Sequence, residues 1–148
     1  MSEKQYDPRM HTAEHILNQT MIRMFRCGRS FNSHIERKKS KCDYRINREL
    51  TPNEVNEIED RVNSIINAGF KVTEDFVSKS QAAEFLDLTK LPADAPDNIR
   101  VIRVGDYDAC ACIVPHVSNT SEIGTFSVIS SDFNEGIVRL RFKLAERI

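Results

Sequence analysis

Apolar residues recur at helical spacing in two long segments, and the clearer of them is "LTPNEVNEIEDRVNSIINAGF". Its apolar positions run from Val55 to Ile66 with a period that places them on one helix face. Thr51 is suited to cap the N-terminus, Glu54 completes a capping box, and Gly69 is suited to end the helix. The pattern predicts an amphipathic helix that packs one face on the core and turns an acidic face to solvent.

The other segment, "MHTAEHILNQTMIRMF", predicts a helix from His11 to about Arg26. It is apolar on several faces, which is typical of a helix buried in the middle of its domain. His11 and His15 lie one above the other on this helix, because residues four apart share a face. A buried imidazole without a partner is costly, so the rest of the chain should supply partners for both rings.

Alternating apolar and polar residues predict five strands, in the segments KCDYRIN, FKVTEDFV, VIRV, GTFSVIS and GIVRLRFKL. The last strand turns one set of side chains to the core and another to solvent. The core set is Val138, Leu140, Phe142 and Leu144, and the solvent set is Arg139, Arg141 and Lys143. The segment "SDFNEG" predicts a turn between the last two strands, and "TKLPADAPDN" predicts a surface loop. The expected fold is α+β, a single domain with a mostly antiparallel sheet around the buried N-terminal helix.

Length and composition are those of an ordinary globular domain: 148 residues, 40% hydrophobic and 29% charged. The formal net charge of -1 gives no overall attraction to nucleic acid, so such a surface would need local clusters of cations. The polar N-terminus lacks the apolar core of a signal peptide, and no apolar run is long enough for a membrane helix. We therefore expect a cytoplasmic protein with reduced cysteines and no membrane or DNA partner.

Candidate partners for the two histidines lie in "DACACIVPHVSNTSEIG". Cys112 and His116 have C-x-x-x-H spacing, and Pro115 places them at a strand end or in a loop. With His11 and His15 they would complete a tetrahedral zinc site of three nitrogens and one sulfur, with one ion per chain. Zinc suits these donors better than magnesium or calcium, which prefer oxygen. Either pair alone also occurs by chance, so spacing alone leaves the metal open.

Several motifs together resemble one known family. "HTAEHIL", "IEDRVNSII" and C-x-x-x-H-V-x-x-T-x-EIG, in this order, are similar to the editing domain of alanyl-tRNA synthetases and to the stand-alone alanyl-tRNA editing proteins of the AlaX type. The threonyl-tRNA synthetase editing domain is related to both. The resemblance runs from about His11 to Phe142. It implies the editing-domain fold these families share, over residues 1–148 and without an aminoacylation domain. It also implies four zinc ligands: His11, His15, Cys112 and His116.

The implied activity is hydrolysis of the ester bond of mischarged tRNA, with serine or glycine on tRNA(Ala) as the typical substrates. A chain without an aminoacylation domain would act in trans on tRNA charged elsewhere. Zinc could activate a water, or it could hold the substrate while another group positions the water. Glu14 could act as general base, as a hydrogen-bond partner of a ligand imidazole, or as a surface ion-pair residue. Thr12, Ser30 and Ser33 are the hydroxyls best placed in sequence to recognise a serine side chain.

Two basic clusters are candidates for RNA contact, although each could equally be a solvated face. The first comprises Arg37, Lys38, Lys39 and Lys41, and the second comprises Arg139, Arg141 and Lys143. Phosphate binding requires local cations of this kind and not a positive net charge.

Two features leave other functions open. Ile113, Val114 and Pro115 stand where the family commonly has Gly-Gly-Thr, which bears on the amino-acid substrate more than on the metal. "HTAEH" also resembles the zinc motif of S-ribosylhomocysteine lyases, although the His116 spacing and "NTSEIG" favour editing domains. A non-catalytic, zinc-stabilised tRNA-binding module is the remaining alternative.

Overall fold

Two antiparallel sheets and two long helices form the fold in a computed structural model that describes residues 7–84 and 97–145. The helices are α1 (Pro8–Phe25), α2 (Pro52–Ala68) and α3 (Lys79–Ala83), and a 3-10 turn covers Thr120–Glu122. The strands are β1 (Asn32–His34), β2 (Ser40–Arg45), β3 (Val72–Ser78), β4 (Asn98–Val104), β5 (Asp108–Ala111), β6 (Phe126–Asn134) and β7 (Ile137–Leu144). The α+β prediction is confirmed, including its mostly antiparallel pairing.

The strands divide into a four-stranded sheet of order β1-β2-β7-β6 and a three-stranded sheet of order β3-β4-β5. The hairpin between β6 and β7 turns at Glu135 and Gly136, whose φ angles of 48° and 80° are typical of a two-residue turn. The six-residue turn predicted at "SDFNEG" was therefore too long, because β6 continues to Asn134. The loop predicted at "TKLPADAPDN" lies, up to residue 96, outside the described residues.

Helix α1 lies in the core, as its pattern predicted. Met10, Ile16, Leu17 and Met21 have no exposed surface, and they belong to the same cluster as the apolar face of β7. On β7 the predicted alternation is confirmed, with Val138, Leu140, Phe142 and Leu144 buried. Burial of this apolar surface is the main favourable term in the stability of such a domain.

The ends of the two long helices have defined caps. The Asp7 side chain accepts the N–H of Arg9 at 3.0 Å, so α1 begins three residues before the predicted start. In α2, Thr51 and Glu54 form the predicted capping box, and Gly69 ends the helix with φ 71°. These caps satisfy backbone groups that helix ends leave unpaired.

The three-stranded sheet has its own small core, in which Ala82 of α3 packs against Ile99 and Val101. Strand β5 contacts α1 and ends at Ala111, so the residue after it, Cys112, follows directly from the sheet. No helix among the described residues is long and apolar enough to cross a membrane. The fold thus brings the end of β5 close to α1.

Candidate metal centre

His15, Cys112 and His116 form the group of potential metal ligands that the structure brings together. One ligand atom from each lies within 4.8 Å of the other two. His116 Nε2 is 3.3 Å from Cys112 Sγ, and the His15 and His116 ring centroids are 4.5 Å apart. The buried face of α1 supplies His15, and the loop after β5 supplies the other two. This arrangement could hold a metal ion.

His11 lies beside this group but outside it. Its ring centroid is 6.5 Å from that of His116, and its Nδ1 is 4.0 Å from Glu14 Oε1. Both side chains are largely buried, with 12% and 16% of their surface exposed. His11 is therefore close enough to be a candidate fourth ligand, and Glu14 adjoins it.

The chemistry of the group fits a cation that prefers nitrogen and sulfur donors. Nδ1 of His15 is buried and has no hydrogen bond among the described residues. The Asp108 carboxylate faces it at 3.6 Å, which is too long for a hydrogen bond. Metal-bound imidazoles commonly turn their second nitrogen towards a carboxylate in this way.

Asp108 is itself held firmly, with no exposed side-chain surface. The Arg29 guanidinium donates to both of its carboxylate oxygens, at 2.7 Å and 3.2 Å, and Gln19 donates to Oδ1 at 3.0 Å. Burial alone would lower the pKa of Arg29, but the adjacent carboxylate raises it above its ordinary value. This buried ion pair fixes the carboxylate that faces His15, and sequence reasoning missed both members.

Arg100 holds the loop that carries the other two residues of the group. Its Nη1 donates to the carbonyls of Cys112 at 2.9 Å and Val114 at 3.0 Å. The side chain of Ile113 is 90% exposed. This side chain therefore lies in solvent and does not fill the space around the group.

Burial determines the protonation of the metal-free group. It is the main cause that lowers the pKa of His15 well below its ordinary value and that of His116 to about 4. It also raises the pKa of the Cys112 thiol. At neutral pH an arriving cation would meet two neutral imidazoles and would displace one thiol proton.

The other cysteines, which all lie in the described ranges, are free thiols outside the group. Burial raises the pKa of Cys110 to about 11 and that of Cys42 to about 12. Cys27 is half-buried. These thiols are poor candidates for reactive nucleophiles, because the thiolate is the reactive form.

The three predicted hydroxyls take different positions. Thr12 Oγ1 is 3.0 Å from His116 Nδ1, directly against the group. Ser30 and Ser33 pair with each other at 2.7 Å, and Ser33 also lies 3.6 Å from Cys42 Sγ. A serine-recognition role for any of the three stays a prediction.

The predicted RNA-contact residues line two clefts, and two of them also form ion pairs. A cleft of about 1030 Å³ beside His116 is lined by four cations, Arg9, Arg37, Lys38 and Lys143, and by two acidic residues, Asp7 and Glu122. Lys39, Lys41 and Arg141 line a smaller one of about 310 Å³. Arg139 and Arg141 pair with carboxylates, namely Asp43 at 2.8 Å and Asp132 at 2.6 Å. Arg9 was not among the predicted residues, since it stands alone in the sequence.

Residues 99–141 match the profile of a family described as the threonyl and alanyl tRNA synthetase second additional domain. The chain is related to that domain. An alanine--tRNA ligase from Aeropyrum pernix is 33% identical over 144 residues, which are 95% of this chain. The enzyme of the same name from Fervidobacterium nodosum is 30% identical over 89% of the chain, and that from Ligilactobacillus salivarius is 32% identical over 92%.

The chain spans only 16% of the length of each of these relatives. The part that matches the second additional domain contains Cys112 and His116, whereas His11 and His15 precede it. The resemblance predicted from the sequence motifs is thus confirmed at the level of the domain.

Proposed function

We propose that this chain is a zinc-dependent hydrolase that deacylates mischarged tRNA in trans. We expect Ser-tRNA(Ala) or Gly-tRNA(Ala) to be its substrate and residues 1–148 to act as a single editing domain. The observation that carries the proposal is the group of His15, Cys112 and His116 beside a cleft lined with cations. Relationship to the second additional domain of alanyl- and threonyl-tRNA synthetases supports it.

The proposed zinc ligands are His15, Cys112 and His116, with His11 as the fourth. Two or three imidazoles and one thiolate are the donors that zinc prefers, and the orphaned His15 nitrogen beside Asp108 is consistent with a ligand ring. Bound zinc would supply a Lewis acid that polarises the ester or holds the substrate. Carbonyl contacts from Arg100 would keep Cys112 in place before the ion arrives.

Glu14 is the proposed catalytic carboxylate, with orientation of a ligand ring as its other role. Glu14 Oε1 lies 4.0 Å from Nδ1 of His11, the proposed fourth ligand. Its charge adds to the effect of burial in raising the pKa of Cys112. As a base, Glu14 would take a proton from the attacking water. Attack of this water on the ester would release the free amino acid and a tRNA with a free terminal hydroxyl. Glu14→Gln separates the roles, because an amide could still face and orient the His11 ring but could not accept that proton.

The cleft beside His116 is the proposed path of the acceptor end of the tRNA. Arg37, Lys38 and Lys143, together with Arg9, would neutralise phosphates of the single-stranded terminus. Arg139 and Arg141 are weaker candidates because each pairs with a carboxylate. Lys39 and Lys41 would extend the surface on the far side of the same basic segment.

The deciding experiment is deacylation of seryl-, glycyl- and alanyl-tRNA(Ala) by the purified protein, with zinc content measured on the same sample. We expect loss of serine or glycine but not alanine, with about one zinc ion per chain. Cys112→Ala should abolish both activity and zinc binding. Cys110→Ala is the matched control, since it removes a half-buried thiol two residues away that lies outside the group.

Retention of all three amino acids by a protein that contains zinc would contradict the hydrolase and favour a non-catalytic tRNA-binding module. Cleavage of S-ribosylhomocysteine by the same sample would favour the lyase suggested by "HTAEH". Hydrolysis that survives both chelation and Cys112→Ala would contradict the proposed dependence on zinc.

A further inference from the structure

The hydroxyl of Thr12 joins α1 to the loop that carries His116. Thr12 is fully buried, and its Oγ1 has three polar neighbours. It donates to the Pro8 carbonyl at 2.8 Å, accepts the N–H of Val117 at 3.2 Å, and lies 3.0 Å from His116 Nδ1. One side chain thus contacts the helix that bears His15 and both the ring and the following backbone of the ligand loop.

The Thr12 hydroxyl has only one hydrogen, and this determines which partner donates in its contact with His116 Nδ1. A hydroxyl has one hydrogen and two lone pairs. With the hydrogen directed to Pro8 and one lone pair occupied by the Val117 N–H, the remaining lone pair can only accept. His116 Nδ1 must then carry the hydrogen, and the lone pair of a neutral ring resides on Nε2. Nε2 is the atom that lies 3.3 Å from Cys112 Sγ, inside the ligand group.

We propose that Thr12 is a positioning residue that holds His116 as the Nδ1–H tautomer and aims Nε2 at the metal. The inference rests on the proposed function for the presence of zinc, and it gives Thr12 a different role from the substrate recognition that its sequence position suggested. A hydrogen bond to the second nitrogen of a ligand imidazole fixes both tautomer and ring orientation, and its loss typically weakens metal binding by a factor of about 10 to 100.

Thr12→Val removes the hydroxyl and retains the shape of the side chain, whereas Thr12→Ser retains the hydroxyl. Thr20→Val is a matched control for stability. Thr20 is also fully buried on α1 and donates to a carbonyl four residues earlier, but its other partner is the Tyr107 hydroxyl. All three variants change a buried threonine on α1, but only Thr12→Val removes the contact with His116.

Zinc dissociation constants are measured by competition with a chromophoric chelator at fixed pH, together with thermal unfolding of the metal-free proteins. Thr12→Val should bind zinc at least about tenfold more weakly than the wild type. Thr12→Ser and Thr20→Val should remain within about threefold of the wild type, since both retain the bond to His116. Thr20→Val should lower the unfolding temperature as Thr12→Val does, which separates loss of stability from loss of metal positioning.

Nitrogen-15 NMR of histidine-labelled, metal-free protein gives a second readout. In the wild type His116 should show the Nδ1–H tautomer, and in Thr12→Val it should shift towards Nε2–H. Unchanged zinc affinity in Thr12→Val, or an Nε2–H tautomer in the wild type, would overturn the role of Thr12 and leave the proposed function standing. A wild type that binds no zinc would overturn it together with the metal of the proposed function. If Thr12→Val does not fold, the wild-type tautomer and the Thr12→Ser affinity still decide.

Discussion

Helices α1 and α2 have nearly the same length, 18 and 17 residues, and both begin with a capping side chain followed by proline. Their buried faces differ in kind. That of α2 consists of Ile58, Val62 and Ile66, whereas α1 also buries four polar residues: Thr12, His15, Asn18 and Thr20. A helix that only covers a core has no need of buried polar groups, because each one must find a partner.

On α1 these partners come from different parts of the fold. Asn18 Oδ1 accepts the Tyr44 hydroxyl of β2 at 2.7 Å and the N–H of Ser30 at 3.2 Å. Thr20 bonds to Tyr107, just before β5, at 2.7 Å. Directional bonds therefore fix α1 relative to both sheets. Helix α2 also has directional bonds, but they come from half-buried residues beside its apolar face: Asn63 exchanges two hydrogen bonds with the Phe126 backbone, and Glu59 accepts the N–H of Val128. The comparison teaches that α1 places polar groups in the core itself, where the candidate site lies, whereas α2 buries only apolar side chains and bonds to β6 from the margin of its buried face.

Removal of the carboxylate that faces α1 should give the largest loss. Asp108→Ala leaves the buried Arg29 guanidinium without its partner, so we expect the free energy of unfolding to fall by about 3–5 kcal/mol. Zinc affinity should fall as well, because His15 loses the group that faces its Nδ1. Urea unfolding and chelator competition measure the two effects.

Asp132→Ala is the control for this comparison. Its pair with Arg141 is exposed, so the loss should stay below about 1 kcal/mol and zinc affinity should not change. If Asp108→Ala and Asp132→Ala lowered the free energy of unfolding and the zinc affinity equally, the buried pair would not specify the position of α1.

A cavity in the core beside α2 should lower the free energy of unfolding without changing zinc binding. Ile58→Ala removes a fully buried side chain that packs in the main core, with an expected loss of about 2–4 kcal/mol in urea unfolding. The variant should still bind zinc with unchanged stoichiometry and affinity under native conditions. Ser64→Ala, on the exposed face of the same helix, should change stability by less than about 0.5 kcal/mol. Loss of zinc binding in Ile58→Ala would show that α2 also positions the site.

The smallest expected effect is a pH dependence at the start of α2. Arg48, followed by the Thr51 backbone N–H, lowers the pKa of Glu54 from 4.5 to about 2. The ionised carboxylate therefore contributes to stability above about pH 4.5, and this contribution is lost as the pH falls towards 2. Wild type should be more stable than Glu54→Gln at pH 6, with the difference narrowing in urea unfolding towards pH 2.5. A difference that stays constant over this range would contradict the assignment.

Elements with local signals were predictable from sequence. The ends of α2 are set by residues close in sequence, namely Thr51, Glu54 and Gly69. In β7, the alternation of apolar and polar residues indicates which side chains face the core. Alternation does not state which strand pairs with which, so the division into two sheets was not foreseen. The same limit applies to Asp108, Arg29 and Arg100, whose roles depend on partners distant in sequence.

The candidate site was foreseen in its residues but not in its contacts. Spacing and family resemblance indicated His11, His15, Cys112 and His116. The structure groups the last three and leaves His11 beside them. Thr12 was noted for its hydroxyl, yet a hydroxyl in sequence does not reveal whether it faces a substrate or a ring 104 positions away. Orientation of that kind follows from packing, which no single motif encodes.

The contact between Thr12 and His116 also bears on the order of folding. Segments so far apart along the chain meet only after a large loop has closed, and closure of this kind is entropically costly and slow. During synthesis the histidines of α1 emerge long before Cys112 and His116, so the early chain has only two of the four proposed ligands. On the proposed ligand set, binding of zinc by all of its ligands would therefore follow closure of this loop, late in folding.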